Sequence, residues 1–203
     1  MNTLAGIGLY GVYYSKATVS SGAVTGYGGV QTMGKAINVD FEPNEVDSNN
    51  LYANNGIAET DAANGSGGTL TFTLDRLTED AAADLYGLTK TSSSVTVNST
   101  SVSGTGFDYS GTEQANPVGV GFIIWGQENN NREHHKVVIY RNVTFKMPKI
   151  SAQTLGESIE WQTPEIEGTV VGQEGDGTHP WFKTREFPSQ AAAIQYITDE
   201  FSA

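Results

Sequence analysis

Between Thr69 and Leu74 the chain alternates without exception, with Leu70, Phe72 and Leu74 on one side and Thr69, Thr71 and Thr73 on the other. A backbone that buries one face at period two is a β-strand, because successive side chains point to opposite faces. The same pattern begins after Lys35. There Ile37, Val39 and Phe41 oppose Asn38, Asp40 and Glu42, until Pro43 and Asn44 break it. It returns over 118–125, with Val118, Val120, Phe122 and Ile124 on one face. Its longest run is 137–147, where Val137, Ile139, Val143, Phe145 and Met147 are predicted to face one way. Tyr140, Asn142, Thr144 and Lys146 face the other way, and Arg141 interrupts the apolar row. Residues 7–14 are apolar on both faces, as expected of a strand buried between layers or pressed against another subunit. The strand predicted over 158–171 changes face at Pro164, with Ile159 and Trp161 in phase before it and Ile166 and Val170 after it.

Helical signals occur twice. Thr78 is a predicted N-cap, Glu79 and Asp80 suit the positive end of the helix dipole, and Gly87 suits the stop. Leu77, Ala81, Leu85 and Leu88 then share one side, so this helix can lie on a sheet. Pro188 and Ser189 open a short C-terminal helix with Ala193, Ile194, Ile197 and Phe201 on one face. Three polar stretches separate these elements. Residues 15–33 read as an extended, mobile connection. Residues 43–68 are Gly- and Asn-rich around a returning strand at Leu51–Ala53, and the Ser/Thr-rich 89–116 reads as a long hairpin or rim loop. No internal repeat or linker divides the chain, which predicts one domain over 1–203.

Composition narrows the function classes. The 203 residues contain no cysteine, so stability must come from a packed core or from assembly. The net charge of −12 leaves no pool of Lys and Arg to displace counterions from nucleic-acid phosphates. It suits a solubilised surface, or one that lets a polyanion pass without holding it. The start, Met1-Asn2-Thr3-Leu4, lacks a basic segment and apolar block, which predicts a soluble chain made without export.

No catalytic constellation emerges. His134 and His135 are adjacent on a strand and point to opposite faces, so they cannot share a metal, and His179 stands alone. Glu165 and Glu167 share a strand face, as do Asp40 and Glu42, but solvated acidic faces are commoner than acid–base pairs. Asp47-Ser48-Asn49 lacks the ligand spacing of a calcium loop. The Gly-rich runs at 26–29 and 65–68 lack the ending of a phosphate loop, and no Gly-x-Ser-x-Gly elbow occurs. Trp125, Trp161 and Trp181 could stack on sugars, although scattered tryptophans more often anchor cores or interfaces. The reading is therefore of a protein without catalytic residues, cofactor or metal.

In their order, the segments Gly8-Leu9-Tyr10-Gly11-Val12-Tyr13-Tyr14, Ile37-Asn38-Val39-Asp40-Phe41-Glu42-Pro43 and Leu51-Tyr52-Ala53-Asn54-Asn55 resemble the major tail-tube family of long-tailed, non-contractile bacteriophages. The strand at 69–74 with the helix that follows is similar too. So is Ser158-Ile159-Glu160-Trp161-Gln162-Thr163-Pro164-Glu165-Ile166-Glu167-Gly168-Thr169, close to a family signature late in the chain. The resemblance spans nearly the whole chain except the Ser/Thr-rich 89–112.

It implies a mainly β fold, a β-sandwich or half-barrel of the phage tail-tube type with one flanking helix and a short C-terminal helix. It further implies a virion structural protein, assembled in the bacterial cytoplasm, whose hexameric rings stack into the tail tube that conducts DNA to the host. Implied partners are other copies of the chain, tail proteins at the tip and terminator ends, the tape-measure protein and, transiently, DNA, with no membrane. Asn38, Asp40 and Glu42 become candidates for the lumen face, since they form the polar side of a half-apolar strand; the pattern alone serves outer solvent equally well. Asp47, Ser48, Asn49 and Asn50 are candidates for a ring-stacking loop, and 15–33 and 43–68 for ring-to-ring contacts generally. The alternative class is a carbohydrate- or receptor-binding β-sandwich of a tail tip or adhesin.

Overall fold

A computed structural model describes residues 6–44, 49–53, 56–61, 66–127, 133–150, 152, 154, 162–172 and 180–202. The chain is mainly β. Its strands are β1 (Gly6–Ser20), β2 (Ala23–Tyr27), β3 (Gln31–Gly34), β4 (Ala36–Pro43), β5 (Asn49–Ala53), β6 (Gly56–Asp61) and β7 (Gly68–Leu74). After helix α1 (Glu79–Tyr86) come β8 (Lys90–Val97), β9 (Thr100–Phe107), β10 (Pro117–Gln127), β11 (Glu133–Phe145), β12 (Glu165–Val170), β13 (Phe182–Phe187) and helix α2 (Gln190–Glu200).

Among the described residues, nine strands form one antiparallel sheet in the order β2-β1-β10-β11-β12-β7-β4, with β13 added to β11 and β3 to β1. The sheet curls back on itself through the corner between β3 and β4. There β3 pairs with β1 at Val12↔Gly34, while β4 pairs with β7 at Ala36↔Leu74. Lys35 is pinned at the bend, its N–H donating to Asp75 Oδ1 and its carbonyl accepting from the Asp75 N–H, both at 2.9 Å. Inside the curl lies the main core, with Val12, Tyr14, Leu70, Phe72, Leu74, Val118, Val120, Tyr140, Phe145 and Ile166 among its buried members. Phe72 meets Phe122 edge-on at 6.0 Å, and Phe41 lies 4.8 Å from Tyr140.

Both helices follow their sequence signals. In α1, Thr78 Oγ1 accepts from the Ala81 N–H at 3.2 Å, and Gly87 closes the helix at φ 65°. Ala81 and Leu85 are fully buried in the main core, with Leu77 and Leu88 packed beside them. In α2, Ser189 caps the start, and Ala193, Ile197 and Phe201 are buried against Ile123, Val137 and Ile139 on the outer face of the sheet. The strands β1, β10 and β11 therefore have apolar groups on both faces, which accounts for Val12, Tyr13 and Tyr14 within the two-sided run 7–14, whereas Ile7 and Tyr10 are 59% and 37% exposed.

Several local readings are corrected. The row from Val137 to Met147 does not share one face. Val118 pairs with Val143 but Val120 with Tyr140, so β11 carries one extra residue at Arg141–Asn142. That bulge reverses the phase: Val137 and Ile139 face α2, whereas Tyr140, Val143 and Phe145 face the main core. Met147 lies beyond the strand and is 49% exposed. A second slip, between Ala36 and Asn38, leaves Ile37 bulged and 56% exposed, and Ala36 packs on the core in its place.

The 15–33 segment is regular structure, not a loose connection. β1 continues to Ser20, turns through Ser21 and Gly22 at φ 52° and 80°, and returns as β2 before β3 rejoins β1. Val24 and Met33 are the apolar anchors of this stretch, and both are buried. The 89–116 stretch holds the β8–β9 hairpin. Pro164 precedes β12, its carbonyl accepting from the Leu74 N–H at 3.0 Å. Ile159 and Trp161 lie outside the described residues, whereas Ile166 and Val170 are buried as expected.

Candidate functional site

Three strands set the polar face. On β4, Asn38, Asp40 and Glu42 alternate with Val39 and Phe41, so burying the two apolar residues turns the three polar ones outward. The antiparallel register then builds rows across β4, β7 and β12. Asn38 lies opposite Thr73 and Thr73 opposite Glu165; Asp40 opposite Thr71 and Thr71 opposite Glu167; Glu42 opposite Thr69 and Thr69 opposite Thr169. Directly paired residues project from the same face. Asp40, Glu42, Glu165 and Glu167 therefore share one surface with a central column of threonines.

The carboxylates lie open to water, as do Asn38 and Thr169. Asp40 and Glu167 flank the same threonine two strands apart, on the order of 10 Å by strand spacing. The Lys146 ammonium reaches Glu167 at 2.5 Å, and the Lys146 N–H donates to the Glu167 carbonyl at 2.9 Å. Among the described residues of these rows, four carboxylates against this one ammonium leave a net charge of minus three. Beneath it, Gly168 points inward where a Cβ would stand 2.7 Å from Val143 and 2.9 Å from Phe145. Glycine there lets the core press up against the back of the acidic face.

This arrangement suits electrostatic repulsion of anions and hydrogen bonding to water. The acids stand beside threonines in solvent. Among the described residues no group of three or more His, Cys, Asp or Glu is placed to hold a metal ion. Of the other residues singled out in the sequence, Asp47 and Ser48 lie outside the described residues. Asn49 and Asn50 begin β5, opposite Asp61 and Thr60 of β6. His134 and His135 point to opposite faces of β11. His135 is 2% exposed, its ring 6.2 Å from Tyr10 and its Nε2 3.6 Å from the Glu133 carboxylate. His179 is outside the described residues.

Trp181 packs against Phe41, Tyr140 and Phe182, and Trp125 against Tyr10, so each belongs to an aromatic cluster of its own. A small cavity beside Trp181, lined also by Val24, Arg141 and Val171, has about 10 Å³, room for a water and not for a sugar. The union of the Asp40/Glu42 pair with the Glu165/Glu167 pair was not legible from sequence. Each strand showed its own polar side, but the pairing of β12 with β7 and of β7 with β4 is long-range.

The class defined by fold and surface is thus a mainly β, antiparallel protein with an acidic, threonine-lined sheet face. Among the described residues no helix is long and apolar enough to cross a membrane. Comparison of the chain with protein-family models and with curated proteins finds no match.

Proposed function

We propose that this chain is a structural subunit of a phage tail tube, a virion protein whose rings stack around a DNA conduit. The observation that carries the reading is the shared face of Asp40, Glu42, Glu165 and Glu167, with Thr69, Thr71 and Thr73 between them. A conduit for DNA must be wetted and must not bind phosphate. Carboxylates repel phosphates over about 8–10 Å at physiological salt, and threonine hydroxyls keep water at the wall. On this reading Asn38, Asp40 and Glu42 line the lumen, joined there by the two glutamates of β12.

Two further features agree with assembly. Among the described residues β2 pairs only with β1, and β13 only with β11, so each leaves one row of backbone groups for a neighbour. A head-to-tail interface of such edges closes into a ring, and stacked rings give a filament. The resemblance of the segments around Tyr10, Asp40 and Ile166 to the tail-tube family supports the same conclusion, with hexameric rings, tip and terminator proteins, tape-measure protein and DNA as the partners.

Negative-stain electron microscopy of the purified protein, at high concentration and across salt, tests this directly. Rings or hollow tubes of uniform width are expected. Particles that remain single subunits even when mixed with tail-tip complexes would overturn the proposal.

A further inference from the structure

The hairpin of β8 and β9 stands apart from the core. All eight residues of β8 are exposed, as are the first six of β9. The two strands are joined by a two-residue turn, Asn98-Ser99, with both φ angles positive (48° and 67°), the geometry that matches strand twist. Val95 lies directly opposite Val102, and Val97 is two residues along on the same face. These three valines are 61%, 51% and 53% exposed respectively. The hairpin is tied to the body at its base, where Lys90 pairs with Asp80 and Thr105 Oγ1 donates to the Glu79 carboxylate.

A two-stranded hairpin is marginal in water unless one face is covered. This one also lacks the usual guards of exposed strands, since residues 91–107 contain no charge and no proline. We infer that the valine face of this hairpin docks on a second copy of the chain. Charge selects that occupant. Two copies of net charge −12 repel one another wherever their acidic surfaces meet, and a long uncharged strip is where they can touch. A basic partner would gain more from the Asp40–Glu167 face than from this arm.

Size selects the setting. The face measures roughly 26 Å by 10 Å, so covering it buries on the order of 500 Å² over both partners, well short of a self-sufficient interface. The arm is thus one contact among several in a repeating assembly, not the sole seam of a dimer. The inference uses self-association but does not need the assembly to be a tube.

The test places a photo-crosslinking benzoylphenylalanine at Val97, and separately at Thr96 on the opposite face, and irradiates the concentrated full-length protein. Covalent dimers and higher species several-fold more abundant from Val97 than from Thr96 are expected. The variant combining Val95→Ser, Val97→Ser and Val102→Ser should sediment as smaller species at equal concentration while keeping its urea midpoint, because none of the three is in either core. Equal or absent crosslinking at the two positions, or unchanged association of the triple variant, would sink the inference. Crosslinking through Val97 in particles that are not tubes upholds the docking and counts against the tube. Tubes that crosslink at neither position do the reverse.

Discussion

Gly168 and Glu200 show how single residues hold the two sides of the sheet. Gly168 is buried with its missing side chain directed at Val143 and Phe145, so any Cβ forces branched and aromatic neighbours aside. Gly168→Ala should lower stability by about 1–3 kcal/mol through overpacking, read as a lower urea midpoint with unchanged slope. On the outer side, Glu200 Oε2 accepts from Lys183 Nζ at 2.6 Å, tying α2 to β13. Burial opposes ionisation of Glu200, but hydrogen bonds from Lys183 and Tyr196 outweigh it and hold its pKa below the ordinary 4.5. A carboxyl depressed in the folded state stabilises above the unfolded value and loses that contribution as pH falls through the folded one. Glu200→Gln should therefore cost about 1 kcal/mol at pH 7, with the difference from the parent shrinking below pH 4.5, in urea titrations across that range.

At the scale of elements, the bulge at Arg141–Asn142 decides how β11 can be altered. The extra residue reverses phase between Ile139 and Val143, and the sequence already places apolar residues on the correct side of each half. Removing Asn142 leaves Tyr140, Val143 and Phe145 alternating as in a regular strand, all still facing the core. Its expected cost is the lost bond from the Val171 N–H to the Asn142 carbonyl and local readjustment, about 1–3 kcal/mol, with a cooperative transition retained. Removing Thr71 from β7 is a different event. That strand has no slip against β12, so the deletion turns Phe72 and Leu74 away from the core and should abolish cooperative unfolding. Comparing the two deletions by urea denaturation and near-ultraviolet dichroism separates a bulge from a register. The bulge itself was hidden in the sequence, because Val137 through Phe145 reads as one uninterrupted row of odd-numbered apolar residues once Arg141 is set aside.

For the whole molecule, the acidic face is the feature on which the proposed function turns. Replacing Asp40 and Glu42 by Asn and Gln, and Glu165 and Glu167 by Gln, changes only exposed side chains of β4 and β12. On the tube reading such a subunit still assembles, and particles carrying it release DNA slowly or not at all. Normal infectivity with intact tubes would remove these residues from the lumen. Deleting 46–50 should leave a folded monomer unable to form tubes, as judged by sedimentation and microscopy; Asp47 and Ser48 lie in that segment, just before β5.

The sequence by itself determined where most of these elements lie. Alternation in 69–74 and 118–125, the caps Thr78, Gly87 and Ser189, and the two-sided apolar run at 7–14 are local signals that act through backbone geometry and nearest neighbours. It also marked which side of β4 is polar. What it could not determine was anything that depends on which strand lies beside which. The slips at Ile37 and Arg141–Asn142, the hairpin made from 15–27, and the meeting of Asp40 with Glu167 across Thr71 arise from hydrogen-bond ladders between distant segments. Those ladders form where the two cores can both be filled, a condition on volumes and registers of the folded whole that no window of sequence contains.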